Sequence, residues 1–131
     1  VRLDVDAVSE STERLDELDS ELSAVIQSIE DELVDHIRTR IVLVVSDFPS
    51  LHGDKLETHS IGVAKISDRW RLSWDGNPLT SAPRGIRSRV LALGVIDRLI
   101  EAAPALVAAQ IDDRREALDK ARELLKALRG V

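Results

Sequence analysis

The chain has no cysteine and no methionine among its 131 residues. Without cysteine, a disulfide framework and any thiolate-ligated metal site are excluded. A cysteine-free composition fits a reducing compartment, so a cytoplasmic location is the expectation. Long apolar runs are missing as well. The most apolar stretch, Val90 to Ile111, is interrupted by Asp97, Arg98 and Glu101, short of the roughly 18 apolar residues a membrane span requires. No membrane partner is expected. The N-terminal residues are acidic where an export signal is basic and then apolar, which predicts no signal peptide. The chain starts at Val1 rather than at methionine, as a piece of a longer protein can.

Glycine and proline are scarce, with six and four residues. The glycines are scattered, and Arg84-Gly85-Ile86-Arg87 is far from a phosphate-binding loop. No glycine-flanked serine elbow is present. The paired acids Glu10 with Glu13 and Glu17 with Glu21 read as helix-surface charges. These gaps argue against an enzyme, and no cofactor is expected.

What is present is a soluble globular composition, 44% hydrophobic and 32% charged. At this length a chain buries about two-thirds of its unfolded surface, enough for one domain without staples. Charge is unevenly distributed. Residues 1–36 hold twelve acids against Arg2 and Arg14, a net −10; residues 37–100 carry a net +4, and residues 101–131 balance, which leaves the chain at −6.

The hydrophobic pattern predicts an α+β domain over 1–131: a long N-terminal amphipathic helix, a small three-stranded antiparallel meander and a C-terminal helical hairpin. Over 9–38, Leu15, Leu18, Leu22, Ile26, Ile29, Leu33 and Ile37 step by three and four residues in an eleven-residue repeat, with Ser9 or Ser11 as N-cap. The β-branched run Ile41-Val42-Leu43-Val44-Val45 opens the meander of 41–75. A loop follows over Asp47–Lys55, and a hairpin turns near Ser67-Asp68. Trp70, Leu72 and Trp74 alternate with Arg71 and Ser73, placing both tryptophans on one face and Arg71 on the other, exposed. Asp75-Gly76-Asn77-Pro78 ends the strand. Two helices fill 84–129, one over 84–102 and one entered at Pro104, whose missing amide hydrogen suits a first helical turn. In the latter Val107, Ile111, Leu118, Ala121, Leu125 and Leu128 keep heptad spacing, with Arg114 interrupting one position.

Three functional readings follow. A helix of 30 residues spans about 45 Å, longer than a compact domain of this size needs. Its stripe therefore predicts a self-associating interaction or regulatory module, with Leu15, Leu18, Leu22, Ile26, Ile29 and Leu33 at an oligomer or partner interface. The acids Asp16, Glu17, Asp19, Glu21, Glu30 and Asp31 would set partner choice, a homo-oligomer or a protein with a basic surface. Mimicry of a nucleic-acid backbone is a minor variant of the same reading. The alternative is phosphate binding by Arg69, Arg71, Arg84, Arg87 and Arg89. Against it stand the acidic whole chain and the simpler expectation that these arginines pair with the acidic helix. The third candidate is a metal-dependent hydrolase at His52, Asp54 and His59, with Glu57 nearby. These side chains ligate divalent metals, but their spacing matches no known motif, so no metal is the expectation.

Overall fold

The computed structural model describes residues 2–130 and realises the α+β architecture. Helix α1 covers Val5–His36, strands β1, β2, β3 and β4 cover Ile41–Pro49, Leu56–Ile66, Arg69–Trp74 and Asn77–Pro78, a 3₁₀ turn covers Leu79–Ser81, and helices α2 and α3 cover Arg84–Ala92 and Val95–Leu128. The sheet is antiparallel throughout, in the order β1-β2-β3-β4.

α1 starts earlier than its serines predict. Asp4 is the N-cap, its Oδ1 accepting from the Ala7 amide at 3.1 Å, and Asp6 in the first turn suits the positive helix end. The expected loop over 47–55 is shorter than predicted. β1 continues through a bulge between Val45 and Phe48, because Phe48 turns inward and is among the most buried side chains of the core. The β2–β3 and β3–β4 turns are two-residue turns with left-handed backbone, Ser67-Asp68 at φ 51° and 64° and Asp75-Gly76 at φ 50° and 84°. The second of these makes a fourth strand where sequence placed a strand end. That strand is only two residues long, since Pro78 has no amide hydrogen with which to continue a ladder.

The C-terminal helices divide at a different place from the one predicted. The break falls at Leu93-Gly94, with Gly94 in the left-handed region at φ 66°, and α3 then runs without interruption through Pro104. Gly94 supplies the stop that a side chain would resist, and Pro104 is accommodated on the exposed side of the helix. The new phase also resets the inner face. Ile86 and Val90 of α2 and Val95, Ile96, Leu99 and Ala103 of α3 face the core, whereas Leu93 and Ile100 are exposed.

One hydrophobic core joins these elements. Ile41, Val45, Ile61, Val63, Leu72 and Trp74 of the sheet meet Ile26 of α1, Val90 of α2 and Leu99 of α3, with Trp70 half-buried beside them. β1 and β2 approach so closely at Gly62, paired with Val42, that a methyl group there would overlap the Ile41 carbonyl. Gly62→Ala is expected to cost about 3 kcal/mol of unfolding free energy in urea melts, at the upper end for overpacking because the clash is with backbone. Gly94→Ala, which meets strain at positive φ and, of side chains, the Asp97 carboxylate at 3.3 Å, should cost about 1 kcal/mol.

Candidate protein-interaction surface

The charged residues singled out by sequence fall into two groups, those the fold consumes and those it leaves to solvent. Glu30 belongs to the first. It is 2% exposed, and its carboxylate accepts from Arg71 Nε at 2.9 Å and Gln27 Nε2 at 3.2 Å on Oε1, and from the Leu72 amide at 2.9 Å on Oε2. Arg71, predicted to be exposed, is instead 24% exposed at the side chain and donates a second bond to Thr80 Oγ1 at 2.8 Å. Glu30 is therefore a structural acid of this chain rather than a residue presented to a partner.

The remaining arginines of the phosphate-binding alternative are mostly engaged in the same way. Arg84 bonds Asp16 at 2.9 Å and approaches Asp19 at 3.5 Å. Arg87 donates to Ser23 Oγ, and Arg89 donates to the carbonyls of Pro49 and Ser50 at 2.7 and 2.8 Å. Together they pin α2 to α1 and to the end of β1. Arg69 is exposed at the hairpin end. The structure thus does not gather the five guanidinium groups into one free patch.

The histidines do not converge either. His52 and Asp54 are exposed in the segment after β1. His59 lies elsewhere, its Nδ1 2.6 Å from Asp75 Oδ2 and its ring stacked on Trp74 at 4.8 Å, with Phe48 edge-on at 5.2 Å. Asp75 also accepts from the Ser60 amide at 2.9 Å, so this pair fastens the β3–β4 turn to β2. Among the described residues, no group of three or more His, Asp or Glu side chains is arranged to hold a metal ion. Between α3 and β1, the Arg98 guanidinium beside Asp47, 3.0 Å away, holds the Asp47 carboxyl below the usual carboxylate range.

The apolar stripe of α1 divides in two. Ile26 is 0% exposed and belongs to the chain's own core, while Leu22, Ile29 and Leu33 are half-buried. Leu15 and Leu18 are 57% and 41% exposed, and so is Val25, at 51%, which the eleven-residue pattern did not single out. The exposed Leu15, Leu18 and Val25, with the half-buried Leu22 and Ile29, step by three, four, three and four, the spacing of a coiled-coil seam. Sequence could not separate Val25 from Ile26, because adjacent apolar residues fit both periods.

Beyond the core both long helices run free. Every residue of α1 from 5 to 18 is exposed, and so is every residue of α3 from 111 to 128, lengths of about 21 and 27 Å at 1.5 Å per residue. Near the core, Ala24, Val25, Ser28, Ile29, Glu32 and Leu33 of α1 and Ile100 of α3 line an open groove of about 490 Å³. Of the partner-choice acids, Glu21 is exposed with no ion-pair partner among the described residues, whereas Asp16 and Asp19 meet Arg84, Glu17 meets Arg14 at 3.4 Å, and Asp31 accepts from Gln27 at 3.0 Å. No helix is long and apolar enough to cross a membrane among the described residues. Comparison with protein-family models, with curated proteins and with solved structures gives no match to the chain.

Two measurements check the division between consumed and free charge. Glu30→Ala, which strands Arg71 and the Leu72 amide, should lower unfolding free energy by about 3 kcal/mol, whereas Arg84→Ala at its exposed pair should change it by less than about 1 kcal/mol. Because the folded Asp47 carboxyl titrates below its unfolded value, its contribution to stability is present at neutral pH and is lost as pH falls through the folded value. Arg98→Ala should move the Asp47 titration upward, followed by carboxyl chemical shifts.

Proposed function

We propose that this chain is a non-catalytic, self-associating interaction or regulatory module, with the acidic amphipathic helix α1 as its principal interface. What supports the reading above all is the seam of Leu15, Leu18, Leu22, Val25 and Ile29, three of whose side chains are largely exposed on a helix that extends well past its own core. An amphipathic helix is unstable without a surface for its apolar face, and this sheet covers only the C-terminal half of α1. A closed two-fold dimer is the commonest assembly that would cover the rest. The exposed acids of this helix, Glu13, Glu17 and Glu21 among them, keep the free helix soluble and would bias encounter toward basic surfaces.

The test is solution mass by multi-angle light scattering, on the wild type and on Leu18→Asp with Val25→Asp. Both substituted residues are exposed, so the fold should survive, as circular dichroism would verify; Ile26, inside the core, is unsuitable for this purpose. A wild-type dimer reduced to monomer by the double substitution is the expected outcome. A folded wild-type monomer across the micromolar range would refute self-association.

A further inference from the structure

The free end of α3 has a charge pattern that identifies its counterpart. Taking Ile111, Leu118 and Leu125 as the first position of each heptad and Arg114, Ala121 and Leu128 as the fourth, the fifth position, beside the seam, is Arg115, Arg122 and Arg129. The opposite flank, the seventh position, is Gln110, Ala117 and Leu124, all uncharged. Every acid of this segment (Asp112, Asp113, Glu116, Asp119 and Glu123) falls at the second, third or sixth position, on the back of the helix. The contact face is therefore isoleucine, leucine and alanine, interrupted by Arg114 and bordered by arginine, with no acid on it.

Such a face does not suit another copy of itself. Seam-flanking positions decide coiled-coil partners through opposite charges. In a parallel pair of these segments the arginines would face glutamine, alanine and leucine, with no ionic attraction. In an antiparallel pair arginine would face arginine. The face requires an apolar surface with an acidic border.

The groove between α1 and α3 is such a surface. Six of its seven lining residues are uncharged and the seventh is Glu32. Glu21 lies one turn before Val25 on α1, and Asp97 one turn before Ile100 on α3, both exposed. The dimensions also agree. From Ala24 to Leu33 the α1 wall runs about 14 Å, and from Leu118 to Leu128 the apolar seam runs about 15 Å. A chain cannot fill its own groove with this segment, because Ile100 and Leu118 are on one uninterrupted helix, about 27 Å apart.

We propose that residues 111–129 of α3 seat in the α1–α3 groove of a second copy of this chain, with Arg115 and Arg122 against its acidic border, and that the exchange is reciprocal. This rests on the self-association proposed above and names what covers the groove end of the α1 seam, Val25 and Ile29. Two copies each supply one arginine-bordered helix end and one acid-bordered groove, which closes the assembly at two.

A charge-exchange experiment on the full chain tests it. One variant carries Arg115→Glu with Arg122→Glu, the other Glu21→Lys with Glu32→Lys; all four residues are exposed, which leaves the core intact. Sedimentation should show that each variant alone self-associates at least tenfold more weakly than the wild type. An equimolar mixture should recover dimer, since each helix end then meets a groove border of opposite charge. If the wild type is dimeric and Leu18→Asp with Val25→Asp dissociates it, but either charge variant alone remains a wild-type dimer or the mixture fails to recover, the tail-in-groove arrangement is refuted while self-association stands. A monomeric wild type overturns both.

Discussion

The contact between Glu30 and the edge of β3 is the one on which the placement of α1 depends. β4 ends at Pro78 after pairing with Ser73 and Trp74, so the Leu72 amide, one residue further along, has no strand to receive it. An orphaned amide hydrogen at a buried sheet edge is costly. Glu30 receives it from α1, and Arg71 and Gln27 complete the carboxylate's shell. The charge on Glu30 is thus neutralised and hydrogen-bonded at once, the condition under which a buried carboxylate is tolerated. A charged group at this edge also blocks pairing with a further strand.

With α1 held there, Ile26 is turned into the core and Val25, one residue earlier, is turned out. The rotation of the helix about its axis is set by this contact and by the Arg84 and Arg87 bonds from α2. That rotation determines which apolar side chains remain for association. The same geometry opens the groove above Ile29, because α1 lies against β3 while α3 lies against β1 and β2. Two long helices sharing a small sheet as their base leave their far ends without cover.

Much of the architecture was legible from residue order alone. The α+β class, the β-branched first strand, the Ser67-Asp68 turn and the length of the first helix follow from period, propensity and turn chemistry, all of which act over a few residues. The divergences have local explanations that only neighbours in space reveal. Phe48 extends β1 because a core position awaited it across the bulge. Pro104 did not end a helix, since Gly94 had already provided the break and the proline ring met no neighbouring element. Arg71 alternates with the tryptophans as expected, yet it is drawn in by Glu30, 41 residues earlier in the chain.

The candidate surface shows the same division. Sequence by itself determined that the first amphipathic helix is longer than its domain and strongly acidic and that the C-terminal helix carries a heptad seam, since these are properties of residue order on a helix. Only the tertiary structure decided which acids are spent and which apolar residues stay in water. Ion pairing and burial join residues far apart in the chain, so Glu30 and Glu21, alike as letters on one helix, end as a core ligand and a free surface charge.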